Sequence, residues 1–184
     1  MWRYSRMINS FFNSALEAIL CEEHELNELF KLNENYYKRS HHGVCNLYET
    51  TFVYLIFKEL LRKEYPFTVY WEYPYPSNTK NHCDLALLKE DGTLDSLIEF
   101  KIWIKDDDKD IKNDVLKLQK ELGCKKYVFI IGYGGDIGEN HSYLIRDNAP
   151  LNLVNKRSIK TKFFKTALNT VEDNELNLFM YEVI

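Results

Sequence analysis

N-H-C-D-L-A-L-L-K-E-D-G-T-L-D-S-L-I-E-F-K-I-W-I, residues 81–104, is the most informative segment of the chain. Asp91-Gly92 suits a two-residue turn with positive φ, so the segment reads as two antiparallel strands. A turn centred between those two residues sets Asp84 opposite Glu99, with Lys101 two residues further on the same sheet face. Leu97 and Trp103 share that face, while Ile98, Phe100 and Ile102 take the other. Across the hairpin Ala86 and Leu88 lie on Asp84's side, and Leu85 and Leu87 oppose them. Both strands are therefore apolar on both faces, as central strands are, except at three charges. Two opposed carboxylates at about 4 Å repel by about 4 kcal/mol at an effective dielectric of about 20. A divalent cation would relieve that repulsion, and an ordinary ion-pair cluster on a hairpin is the competing reading. Glu90 and Asp95 read as solvated, with a bulge at Asp95-Ser96 as a second register.

Asp84, a fourteen-residue gap and then Glu99-Phe100-Lys101 resembles the PD-(D/E)XK superfamily of restriction-endonuclease-like nucleases, over about residues 45–133. Cys83 stands where that motif carries proline, which bears on the turn entering the strand more than on the metal. The resemblance implies an α/β fold: a restriction-endonuclease-like core with a mixed central sheet, flanking helices and an added N-terminal helix. It implies Mg²⁺, with Mn²⁺ as a substitute, held by Asp84, Glu99 and the backbone carbonyl of Phe100, and Lys101 against the attacking water. Glu49, at the start of the helix before the hairpin, is by the same resemblance the third acid. The implied activity is metal-dependent hydrolysis of phosphodiester bonds by an endonuclease or related phosphodiesterase, on DNA rather than RNA. The alternative is a catalytically inactive nuclease-fold binding or regulatory protein, such as an immunity-type or defence-system partner.

Length and composition fit this frame. A chain of 184 residues, 45% hydrophobic and 15% aromatic, reads as one domain over residues 1–184 with a core at 45–133. Residues 1–44 are then a helical N-terminal extension and 134–184 a C-terminal extension. No apolar run reaches the ~18 residues of a membrane helix, and M-W-R-Y-S-R-M-I-N-S lacks a signal-peptide core. Four widely spaced cysteines, Cys21, Cys45, Cys83 and Cys124, read as reduced thiols of a cytoplasmic protein rather than disulfides or a zinc site. A net charge of −4 argues against nucleic-acid binding by bulk positive charge and leaves local basic patches as the route.

In chain order, residues 7–32 read as an amphipathic helix with Leu16, Ile19, Leu20 and Glu23 at helical spacing, a candidate contact for a homodimer or partner protein. Lys38, Arg39, His41 and His42 lie in a polar loop that is a candidate phosphate-contacting strip. Residues 46–64 read as a helix with Asn46 near its cap and Glu49, Val53, Ile56 and Leu60 on one stripe. A strand at 67–73 follows, ended by Pro74 and Pro76, and a loop over 77–82 presents Lys80 and His82 to substrate phosphate. After the hairpin comes a helix to about Leu122, capped by Gly123, with Ile111, Val115, Leu118 and Leu122 as its apolar stripe. Asp114 and Lys117 read as a surface pair, and Lys117 and Gln119 as residues that could reach the site. Tyr127–Tyr133 reads as a strand buried on both faces and parallel to the one before the helix. A short strand is expected near 141–146, a basic helix face or loop with Lys156, Arg157, Lys160, Lys162 and Lys165, and an edge strand over 178–184. Of that segment Lys160 and Lys162 are the nucleic-acid-contact candidates.

Overall fold

The computed structural model describes residues 2–32, 43–63, 65–103, 109–134, 150–165 and 170–184. Helix α1 spans Trp2–Leu32, a 3-10 turn covers Val44–Asn46, and α2 spans Glu49–Arg62. Strands β1 (Thr68–Tyr75), β2 (Asn78–Leu88) and β3 (Leu94–Trp103) lead to α3 (Lys109–Gln119). Strands β4 (Lys125–Tyr133), β5 (Leu151–Lys165) and β6 (Thr170–Val183) follow. All six form one mixed sheet in the order β1-β2-β3-β4-β6-β5, with β3 and β4 parallel and every other neighbouring pair antiparallel.

The architecture is α/β, with helices on both faces. Helices α1 and α2 cover one face, where Phe11, Ile19, Phe52 and Ile56 pack with Ile98, Phe100 and Phe129. Helix α3 covers the other, where Ile111, Val115 and Leu118 meet Leu97, Val128 and Tyr181. Each such side chain taken out of water contributes roughly 1.5–3 kcal/mol, which is why the sequence between Tyr127 and Ile131 is apolar at every position. The β3–α3–β4 segment is the expected crossover between parallel strands. Among the described residues no helix is long and apolar enough to cross a membrane.

The hairpin closes differently from the simplest reading, yet lands in the same register. Gly92 N–H donates to Lys89 O and Lys89 N–H to Thr93 O, so the loop holds three residues, with Gly92 at φ 79°. That loop would displace the pairing by one residue. The bulge at Asp95, between the pairs Leu87↔Ser96 and Leu88↔Leu94, restores it, and Ala86↔Leu97 and Leu85↔Ile98 follow. The bulge also turns Asp95 inward. It is 4% exposed, not solvated, and accepts from Ser96 Oγ at 2.8 Å.

Several boundaries move. Helix α1 begins at Trp2 and not near residue 7, and Asn46 lies in the 3-10 turn ahead of α2 rather than at its cap. Pro74 sits inside β1, opposite His82, because an edge strand tolerates a missing donor. The loop expected over 77–82 is therefore mostly β2. Helix α3 stops at Gln119, and Leu122 is 87% exposed instead of closing the stripe. The chain turns there because the Glu121 side chain is buried, accepting from Ser77 N–H at 3.1 Å and from Ser77 Oγ.

The segment with Lys160 and Lys162 is neither helix nor loop but β5, the sheet's outer strand, and β6 lies inside it between β4 and β5. The polar loop at 33–42, the acidic run at 106–108 and the strand expected near 141–146 fall outside the described residues. All four cysteines are free thiols, and burial pushes the Cys45 thiol up to about 11.

Candidate active site

Strands β2 and β3 pair only as far as Leu85↔Ile98. Beyond that point the two strands part, and the amide groups of β3 that would face β2 need other partners. Asp84 Oδ2 accepts from the Phe100 N–H at 2.7 Å, and Glu49 Oε2 accepts from the Ile102 N–H at 3.1 Å. Two carboxylates thus stand where a neighbouring strand would be.

The cause of the parting is local. Cys83 and Leu85 are two residues apart, yet they pack in the cores on opposite faces of the sheet. Glu72, at the matching position of β1 between the pairs Trp71↔Leu85 and Tyr73↔Cys83, has φ 52°, an uncommon conformation for a residue with a side chain. The β1–β2 hairpin therefore twists by one face at Glu72 and Asp84. That twist swings the Asp84 carboxylate to the edge of β3.

Glu99 is buried and hydrogen-bonded to Asp84, and Tyr75 donates its hydroxyl to Glu99 Oε1. Burial raises the Glu99 pKa to about 8, helped by the charge of Asp84, the hydrogen bond with it and the charge of Asp114. Glu99 thus keeps its proton to a higher pH than an ordinary carboxyl group. Tyr75 is itself pushed above the ordinary tyrosine value, by burial first and then by the charges of Cys83 and Glu99, so it acts as a hydrogen donor.

Lys101 reaches around the open edge of β3. Its Nζ lies 2.8 Å from Glu49 Oε1 on α2 and 3.1 Å from Asp114 Oδ2 on α3. Burial opposes its charge, but the hydrogen bond to Glu49 and the charge of Asp114 outweigh that and hold its pKa above the ordinary lysine value. Lys101 is a fixed cation and not a proton acceptor at neutral pH. Asp114 Oδ1 also binds Lys117 Nζ at 2.6 Å, so one buried aspartate serves two ammonium groups. A cleft of about 520 Å³ opens beside them, lined by Lys101, Asp110, Asn113, Asp114, Lys117 and Lys120.

The structure thus brings Asp84, Glu99, Lys101 and Glu49 into one connected region, and the Lys117 side chain joins it through Asp114. Glu49 meets Lys101 and not the Asp84–Glu99 pair. Gln119, two residues beyond Lys117 and so on another side of the helix, is exposed. Lys80 and His82 are exposed on β2. Lys160 is exposed and Lys162 lies 3.7 Å from Asp173, both three strand positions from β3, roughly 14 Å away.

Two contributors escaped the sequence reading. Asp114 was legible in principle, because it falls three residues after Ile111 and four before Leu118, inside the buried stripe. Tyr75 carried no such signal, since its inward orientation depends on the face switch at Glu72.

The Asp84–Glu99 pair fits a hard divalent cation. Two adjacent carboxyl groups supply oxygen ligands, and a cation between them would offset the Asp84 charge that helps to raise the Glu99 pKa. The Phe100 carbonyl points into the same gap, because the N–H and C=O of one strand residue share a direction. Among the described residues no three His, Cys, Asp or Glu side chains form a ready metal-binding group.

No protein-family model matches the sequence, and no curated protein matches it either.

Proposed function

We propose that this chain is a metal-dependent nuclease with a restriction-endonuclease-like core, cutting phosphodiester bonds with Mg²⁺ or Mn²⁺ as cofactor. The observation that carries the reading is the buried Glu99 carboxyl set against the half-buried Asp84 at the parted end of β3, beside the Lys101 ammonium held by Glu49 and Asp114. The order α2, β1, β2, β3, α3, β4 over Glu49–Tyr133 supports it, since it is the core order the PD-(D/E)XK resemblance implies. DNA is favoured over RNA through that resemblance alone.

In this reading Asp84, Glu99 and the Phe100 carbonyl would hold the cation. Bound there, it would polarise the phosphate and make its water more nucleophilic. Tyr75 orients Glu99 by donating to Oε1. Lys101, fixed by Glu49 and Asp114, presents positive charge to the phosphate oxygens as negative charge develops in the transition state. Asp114 is a positioning residue here: it touches the lysine and not the reacting atoms.

Cleavage of DNA should require a divalent metal and fall on the order of 100-fold or more in Asp84→Asn and in Lys101→Ala. Equal activity in the parent and both variants would remove the assignment. One observation favours a second reading, a non-catalytic nuclease-fold regulator: Glu49 and Asp114 already engage the Lys101 ammonium. DNA binding with no metal-dependent cleavage would mark that case.

A further inference from the structure

The cleft beside Lys101 runs along one stripe of α3. Asn113 and Lys117 are four residues apart on α3, and Lys120 follows one residue past its end, where its N–H donates to Lys117 O at 3.1 Å, so all three line the cleft. Lys117 is turned towards Asp114, which also holds Lys101. No ion pair engages the Lys120 side chain among the described residues, and both Asn113 and Lys120 are exposed. Asp110 closes the amino-terminal end of the row, so negative charge stands at one end of the cleft and free positive charge at the other. A volume of about 520 Å³ is within the range of small-molecule pockets, enough for a nucleotide unit.

We propose that this cleft is a binding subsite for a second phosphate of the substrate, adjacent to the one presented to Lys101, held by Lys120 with Asn113 as a neutral donor. The inference rests on the phosphodiesterase reading, because Lys101, which lines the cleft, is also the lysine of the site. It narrows the substrate to a polyanionic strand carrying several phosphates, and sets single phosphodiesters and mononucleotides apart as poor ligands. Charge complementarity carries the argument: the chain is acidic overall, so anion binding depends on local cations, and in this cleft Lys120 is a lysine that no ion pair engages among the described residues.

The test is fluorescence anisotropy of a short labelled DNA oligonucleotide with the full chain in chelator, titrated over a series of salt concentrations. Lys120→Gln should weaken binding and reduce the slope of log K against log salt by about one, the signature of one lost phosphate contact. Asn113→Ala should weaken binding with the slope unchanged, since a neutral donor releases no counterion. Lys160→Gln, on the far edge of the sheet, is the comparison and should leave the slope as in the parent. An unchanged slope in Lys120→Gln, an equal loss in Lys160→Gln, or no binding by the parent overturns the subsite. A reduced slope in Lys120→Gln with no cleavage once Mg²⁺ replaces the chelator would instead retire the nuclease reading and keep the subsite. Cleavage with an unchanged Lys120→Gln slope would do the reverse.

Discussion

Two buried glutamates on opposite sides of this sheet show what separates a structural acid from a candidate functional one. Glu23 on α1 is buried and surrounded by donors: Val44 N–H at 2.8 Å, Thr161 Oγ1 at 2.8 Å and Asn27 Nδ2 at 2.9 Å. All three are neutral, so they solvate the carboxylate and fix α1 against the 3-10 turn and β5. Glu99 is equally buried but has one phenol as donor and another carboxylate as neighbour. Burial alone is therefore uninformative. What distinguishes the second site is unresolved negative charge, which costs folding free energy unless something positive arrives.

That contrast can be broken first by pH. Glu99 has its pKa raised from 4.5 to about 8, so its contribution to stability is complete below pH 4.5 and is lost as pH rises through 8. That rise corresponds to at most about 5 kcal/mol, and the coupling of Glu99 to its neighbouring carboxylate reduces it. Denaturant unfolding in chelator should show the parent weakening by several kcal/mol between pH 5 and pH 8, while Glu99→Gln stays nearly flat. A parallel pH course in the two proteins would mean that Glu99 is not the strained group.

The second effect is on the satisfied side. Glu23→Ala strands three donors and should cost about 3 kcal/mol at every pH in that window, read from the same unfolding curves. A loss under 1 kcal/mol would show that water replaces the carboxylate there. A smaller effect sits one residue before Val44. Gly43 has φ 69°, and a Cβ at that position would meet Thr161 Oγ1, Glu23 Oε2 and Lys162 O within 2.7–2.8 Å. Gly43→Ala should therefore cost about 2 kcal/mol, from the backbone conformation and the crowding together. Thermal unfolding at an unchanged midpoint would contradict the packing described around Glu23.

The same two regions mark how far the amino-acid order could be read. The hairpin was legible because Asp91-Gly92 separates two apolar runs, and pairing them about that dipeptide buries Leu85, Leu87, Ile98 and Phe100 together. The two-residue turn was wrong, since the loop has three residues, and the bulge that the sequence offered at Asp95-Ser96 is present and restores the pairing. The α2 stripe Val53, Ile56 and Leu60 is buried as its spacing implies. Glu49 was placed on the right helix face, yet its destination depends on where β2 leaves β3, a tertiary feature with no local signature. Asp114 was misread because an aspartate three residues before a lysine usually marks a wet surface, and here α3 presses it against Lys101. The Glu23 cluster joins α1, Val44 and Thr161, and no periodicity links residues so far apart. In β5 the alternation of Ile159 and Thr161 with Lys160 and Lys162 was a strand signal hidden under its charge.

Titration calorimetry of the parent with Mn²⁺ near pH 7, in buffers of different ionisation enthalpy, tests the site most directly. Binding of one ion should release a proton as the cation replaces the one held by Glu99, and Asp84→Asn should abolish binding while Glu23→Gln keeps it. No binding by the parent, or binding that survives in Asp84→Asn, would contradict the account.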